Sequence, residues 1–182
     1  MIFRSTEIKD TWLIDIEPHR DKRGFFTRTW CEREFVANGL ETRIAQESVS
    51  WNLVRGTMRG LHLQKPPHEE VKIVRCTRGA IFDVVVDIRP RSPTFLRWLG
   101  FELSADNHRA LYVPKGCLHG FQTLVDETEV FYQISNFYAP ESATGYRYDD
   151  PVFSITWPLP ITAIGDNDLH WPAFRVEPGS IP

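Results

Sequence analysis

Apolar and polar residues alternate with a period of two along much of the chain, as in strands with one buried face, and the 3.6-residue spacing of amphipathic helices is scarce. The clearest run is 81–88, where Phe82, Val84, Val86 and Ile88 line one face and Asp83 and Asp87 the other. A turn at Thr77-Arg78-Gly79 joins it to a strand over 71–76. The same alternation predicts strands over 12–16, 42–50, 57–64, 95–103, 110–113 and 128–135. In the last of these Tyr132 shares a face with Val130 and Ile134 and points inward. Residues 31–38 are the best helical window, with Phe35 and Val36 as a small apolar face and Gly39 as a left-handed end.

The segment 139–182 is rich in Pro, Trp and Asp and reads as loops and short elements laid over a sheet. Neither a repeat nor a linker-like shift in composition divides the chain, so 182 residues are expected to form one domain, 1–182. Many short strands with one or two short helices indicate an all-β sandwich or barrel, most commonly a jelly roll.

Composition narrows the partners. A hydrophobic fraction of 42% with 25% charged residues is that of a globular protein. A net charge of −3 argues against nucleic acid as the main partner, because phosphate binding on that scale needs a broad basic face. The three cysteines, Cys31, Cys76 and Cys117, are odd in number and widely spaced, which favours a reducing compartment such as the cytoplasm over a disulfide framework. The N-terminus lacks a signal-peptide core, and no run approaches the roughly 20 apolar residues of a membrane span. A soluble, unprocessed protein is expected.

Candidate chemistry centres on Arg59-Gly60-Leu61-His62-Leu63-Gln64. Period two places Met58, Gly60, His62 and Gln64 on one face and Arg59, Leu61 and Leu63 on the other. A lone histidine is more often a hydrogen-bonded core residue than a catalyst, so its neighbours decide. Pro114-x-Gly116-x-x-His119 resembles the second motif of the cupins, in which a tight turn sends a histidine into a small barrel. The first cupin motif offers two histidines one residue apart, whereas here His62 is followed by Gln64, and a neutral amide is a poor metal ligand. Without a metal, His62, His119, Lys72 and Tyr132 remain as inward groups, with acids in Asp166-Asn167-Asp168. Singly, Tyr132 reads as a core tyrosine and Lys72 as a surface lysine. Together they are the parts needed to move a proton at carbon beside a carbonyl, with no cofactor. Arg23 and Arg28 flank Phe25 and Phe26, either as a solvated edge or as a phosphate site beside a stacked base.

With these residues assembled, the chain resembles the dTDP-4-dehydrorhamnose 3,5-epimerase family, cupins that invert C3 and C5 of a nucleotide-linked 4-keto-6-deoxy sugar. The similarity spans about residues 8–172. It is carried by Asp21-Lys22-Arg23-Gly24-Phe25-Phe26, Met58-Arg59-Gly60-Leu61-His62-Leu63-Gln64, Lys72-Ile73-Val74-Arg75, Phe82-Asp83-Val84-Val85-Val86-Asp87, Ser92-Pro93-Thr94-Phe95, His119-Gly120-Phe121, Asp149-Asp150-Pro151, Trp157-Pro158 and Asp166-Asn167-Asp168. The resemblance implies a cupin-type double-stranded β-helix, a jelly-roll barrel, with His62 as general base held by Asp168 and Tyr132 as general acid. It implies Lys72 and His119 at the 4-keto oxygen and hydroxyls, and Arg59 at the diphosphate. Arg23 would contribute to the nucleotide side, Gln46 and Tyr138 would line the same site, and Phe26, Arg28 and Ser48 would bind the substrate with them. It further implies no metal, and a homodimer with an exchanged N-terminal strand whose partner supplies part of the nucleotide pocket.

Leu63 replaces the family's usual tyrosine, Arg28 a glutamate, Ser48 an asparagine, and Cys117-Leu118 the usual Phe-Ala. The changes at Arg28 and Ser48 fall near the expected pocket, and relatives with the same catalytic groups invert only C3 or only C5. A monoepimerase is therefore an alternative. So are a metal-dependent cupin oxygenase using His62 and His119, and a non-catalytic nucleotide-sugar binding module.

Overall fold

A computed structural model describes residues 1–181. The strands are β1 (Ile2–Ser5), β2 (Trp12–Asp15), β3 (His19–Asp21), β4 (Gly24–Phe26), β5 (Gln46–Asn52), β6 (Thr57–Gln64) and β7 (Lys72–Arg78), with α1 (Glu32–Ala37) between β4 and β5. There follow β8 (Ala80–Asp87), β9 (Trp98–Ser104), β10 (Ala110–Val113), β11 (Cys117–Thr123), β12 (Thr128–Ile134), β13 (Ala143–Gly145), β14 (Ala163–Ile164) and α2 (Asp166–Leu169). One six-stranded sheet runs β1-β2-β10-β7-β12-β5. The second runs β13-β6-β11-β8-β9 with β14 added against β6, while β3 and β4 pair as a separate hairpin. The two sheets face each other as the expected jelly-roll barrel.

Along several strands the inward residues change character from one end to the other. Val74 and Cys76 of β7, Val130 of β12 and Phe121 of β11 join the apolar plug between the sheets. Lys72, Tyr132 and His119 of the same strands line an open cavity instead. One end of the barrel is therefore packed and the other lined with polar groups. Cys76 and Cys117 both lie in the plug, and burial pushes their thiols up to about 11 and about 12.

Each sheet is also covered outside. On the first, Ile14, Ile73 and Tyr112 pack under Phe35 of α1 and Leu40. The helix is where the sequence places it, yet only Phe35 turns inward. Val36 is 61% exposed, because six residues offer a single buried position against the sheet. On the second sheet, Leu61, Leu63, Val84, Val86 and Leu118 lie under Phe153, Ile155, Trp157 and Phe174 of the C-terminal segment. Each fully buried side chain here, such as Leu61, Val84 or Phe153, contributes roughly 1.5–3 kcal/mol, and the half-buried Ile155, Trp157 and Phe174 less. The apolar stripe of β8 thus faces this cover, and Asp83 turns to the other side, where it meets His119.

The cover also explains why β11 escapes a reading by alternation. All seven of its residues are buried, so neither face reads as polar. Two other strands are displaced from their expected bounds. The segment 42–45 is irregular, with Glu41 Oε1 accepting from the N–H groups of Thr42 and Arg43, and the strand begins at Gln46. Residues 95–97 belong to a turned loop, pinned by hydrogen bonds of 2.6 Å from Ser92 and Thr94 hydroxyls to Asp87 Oδ2, so β9 begins at Trp98.

Where β6 meets β11, His119 pairs with His62 but Phe121 pairs with Arg59, so Gly60 and Leu61 together oppose Gly120. This bulge advances the alternation by one residue and puts Arg59 on the same wall as His62, correcting the strict period-two reading. Gly60 has φ of +127°, and a Cβ there would stand 2.6 Å from Gly120 Cα and 3.0 Å from the His119 carbonyl oxygen. Backbone conformation and backbone contact both exclude a side chain. Gly60→Ala is expected to cost at least about 2 kcal/mol, read as a clear drop in the thermal unfolding midpoint; an unchanged midpoint would contradict this account of the bulge.

Candidate active site

Two adjoining cavities occupy the polar end of the barrel, one of 340 Å³ and one of 260 Å³, and His62, Lys72 and Ile134 line both. His62 arrives from β6 in the second sheet, and Lys72 and Tyr132 arrive from β7 and β12 in the first. Side chains of opposing sheets therefore meet across the smaller cavity.

His62 Nε2 lies 2.5 Å from Asp168 Oδ1. The same oxygen accepts from Trp171 Nε1 at 3.2 Å, and Oδ2 accepts from the Gly60 N–H at 3.1 Å. Burial works to raise the Asp168 carboxyl, but the His62 hydrogen bond and charge, with the Gly60 and Trp171 donors, outweigh it and hold the carboxyl below its usual value. An ionised Asp168 accepts the Nε2 proton and leaves the lone pair on Nδ1.

His119 Nε2 lies 2.7 Å from Asp83 Oδ1. Its ring is edge-on to Tyr132, with centroids 6.0 Å apart. Enclosure in the barrel wall raises the Tyr132 phenol well above its usual value, the Asp83 charge adding to the effect and Arg59 opposing it. Tyr132 is consequently a neutral hydroxyl throughout the physiological range. Lys72 Nζ is 3.1 Å from Glu70 Oε1 and 3.4 Å from the His62 carbonyl oxygen, which fixes the ammonium beside His62. Arg59 Nε donates to Asn52 Oδ1 at 2.7 Å and leaves much of the guanidinium exposed.

Of the residues singled out from sequence, His62, Lys72, Tyr132, His119, Arg59 and Ser48 line the smaller cavity. Gln46, Tyr138 and Asp168 line the larger one with His62 and Lys72, and Gln46 Oε1 accepts from the Tyr138 N–H at 2.5 Å. Arg23, Phe26 and Arg28 do not join them. They lie on or beside the β3–β4 hairpin, where Phe26 is 79% exposed, Arg23 pairs with Asp21, and Arg28 pairs with Glu34 at 2.9 Å beside a separate cleft. Sequence reasoning missed Glu70, Asp83 and Trp171. Asp83 carried a readable signal, since a carboxylate amid an apolar central strand needs a buried partner.

The donor set does not suit a cupin metal. Gln64 is used to hold loops, its Nε2 donating to the carbonyls of His68 and Phe137 and its Oε1 accepting from Ala139. Both histidines direct Nε2 at carboxylates, and among the described residues no three His, Cys, Asp or Glu side chains form a cluster that could hold an ion. Nor is any helix among the described residues long and apolar enough to cross a membrane.

The family model of dTDP-4-dehydrorhamnose 3,5-epimerase matches residues 5–176. A protein of that name from Methanothermobacter thermautotrophicus is 40% identical over 179 residues, covering 97% of this chain and 96% of the relative. Among solved structures, the dTDP-4-dehydrorhamnose 3,5-epimerase of Bacillus anthracis with TDP and PPi bound superposes with a TM-score of 0.92 at 39% identity, covering 95% of this chain and 99% of that one. A 3'-monoepimerase of Streptomyces bikiniensis in complex with dTDP-quinovose superposes with a TM-score of 0.84 at 33% identity, covering 92% and 85%.

The lowered Asp168 carboxyl carries a pH signature. A folded value below the unfolded one, about 3.9 for aspartate, gives stability that is present above the unfolded value and lost as pH falls through the folded one. In urea unfolding, the stability difference between the parent and Asp168→Asn is expected to narrow on acidification below about pH 4. A difference that does not vary with pH would contradict the assignment.

Proposed function

The chain belongs to the dTDP-4-dehydrorhamnose 3,5-epimerase family, and from that premise we propose that it inverts C3 and C5 of a dTDP-linked 4-keto-6-deoxy-hexose by proton removal and return through an enolate. The observation that carries this reading is the placement of His62, backed by Asp168 of α2, on one sheet and of Tyr132 and Lys72 on the other, with His62, Lys72 and Tyr132 around one cavity.

In this reading His62 Nδ1 takes the proton from the carbon beside the C4 ketone. The C–H bonding pair becomes the C=C bond, and the carbonyl pair moves to the C4 oxygen. The Lys72 ammonium, with His119, stabilises that oxygen, while Asp168 holds the imidazolium that forms. Tyr132 then delivers its proton to the opposite face of the carbon, and solvent exchange restores both groups. The raised Tyr132 phenol suits this order, because it keeps its proton until a carbanion-like centre is there to take it. Arg59 offers its free guanidinium edge to the diphosphate. We further read the protein as cytoplasmic, where its three free cysteines stay reduced.

The separation of Arg23, Phe26 and Arg28 from both cavities supports a homodimer in which the hairpin of one protomer serves the partner's nucleotide pocket. A co-expressed heterodimer of His62→Ala and Phe26→Ala subunits tests this. With the hairpin acting across the dimer, one of its two sites is intact and activity reappears. With the hairpin acting within its own chain, both sites are defective and activity stays absent.

Incubation with dTDP-4-keto-6-deoxyglucose in deuterated water, followed by NMR, tests the reaction itself. Loss of both the C3–H and C5–H signals is expected, and loss of one alone would assign a monoepimerase like its Streptomyces relative. His62→Ala should lower exchange by roughly 10²–10⁴-fold or more; undiminished exchange in a folded variant would remove His62 as the base.

A further inference from the structure

Trp171 meets the proton-abstracting pair directly. Its Nε1–H donates to Asp168 Oδ1, the oxygen that also accepts from His62 Nε2. Its ring stands edge-on to the imidazole with centroids 6.0 Å apart. The indole fits there because Gly145, the cross-strand partner of His62, lacks a side chain; a Cβ on it would lie 2.6 Å from Trp171 Cε2. The covering segment thus places an N–H donor on the carboxylate behind His62.

We propose that Trp171 is a positioning residue that sets how basic His62 is, by donating to Asp168 Oδ1 and fixing the orientation of the carboxylate. The proposal rests on the epimerase reading only for its catalytic consequence. An oxygen shared by two donors gives less to each, so the indole draws off charge that would otherwise stabilise the His62 imidazolium. Loss of that donor concentrates the carboxylate on His62, favours its protonated form and removes the base at higher pH. The carboxylate also loses one of its three donors and is freer to turn.

Other charged and titratable groups face the pair from each neighbouring element. They are Arg59 on β6, Lys72 on β7 with Glu70 just before it, His119 on β11 with Asp83 on β8, Tyr132 on β12, and Tyr138 in the segment after β12. All are common to the parent and a Trp171 variant, so a difference between the two reports the indole.

Trp171→Phe keeps an aromatic ring beside Gly145 and removes only the donor, while Trp171→Leu removes both. In each, the His62 midpoint, followed by NMR of the imidazole in the free protein, is expected to rise by roughly half to one pH unit, the scale of one charge-assisted hydrogen bond. The acid limb of kcat/KM for C5–H exchange should move up with it, and the rate at pH 6 should fall roughly three- to tenfold. A role in packing alone would lower stability without moving either limb. An unchanged His62 midpoint in whichever variant keeps the parental circular dichroism overturns the proposal. A midpoint that moves in a protein whose parent exchanges no proton of the ketosugar upholds the positioning role and overturns the epimerase reading instead.

Discussion

The apolar outer face of the second sheet has to be covered, and the segment that covers it is the one that completes the site. Leu61, Leu63, Val84, Val86 and Leu118 would otherwise face water. Phe153, Trp157 and Phe174 seal them, and the chain that carries these rings passes over β6 on its way. The short helix α2 then sets Asp168 behind His62, with both carboxylate oxygens held. Packing and the geometry of the candidate site are thereby linked. A loosened cover would displace Asp168 by the same motion that exposed the core, which makes the site as cooperative as the fold.

Within the barrel, polar groups are tolerated because most are paired. Asp83 is matched to His119, Lys72 to Glu70, and Asp87 to Arg89, Ser92 and Thr94. A buried charge without a partner would change its protonation state or unfold the region, so these pairs are what lets charged side chains sit inside the barrel. Asp83 Oδ2 is one exception, a buried oxygen without a hydrogen-bond partner, as are Thr11 Oγ1, Trp30 Nε1 and Arg75 Nε elsewhere in the molecule. The Asp83 charge instead bears on Tyr132, adding to the burial that keeps the phenol protonated. The barrel wall thus acts on the Tyr132 phenol and the cover on the Asp168 carboxylate, from opposite sides of the adjoining cavities.

The strands that could be read from the sequence are those with a contrast between faces. The run from Phe82 to Asp87 declared itself because carboxylates alternate with aliphatics, and 128–135 because Tyr132 shares a face with Val130 and Ile134. Strand β11 has no such contrast, since the cover makes both of its faces dry, and periodicity carries no information there. The bulge at Gly60 was likewise invisible to a strict period of two. Gly60 and Gly120 are individually ordinary, and only their close approach across two strands shows why neither can carry a side chain.

The amino-acid sequence by itself determined the all-β class and the family, and it named side chains whose chemistry suits proton transfer. All of these are expressed in local periodicity and in motifs short enough to read in one pass. The tertiary structure decided which of those side chains share a cavity. It brought Arg59 round to the wall of His62, left Arg23, Phe26 and Arg28 on an outlying hairpin, and added Glu70, Asp83 and Trp171 to the site. The reason is physical. A strand's period is fixed by the bonds of its own backbone, whereas register, bulges and the path of a covering segment are fixed by contacts between residues as far apart in sequence as Gly60 and Asp168.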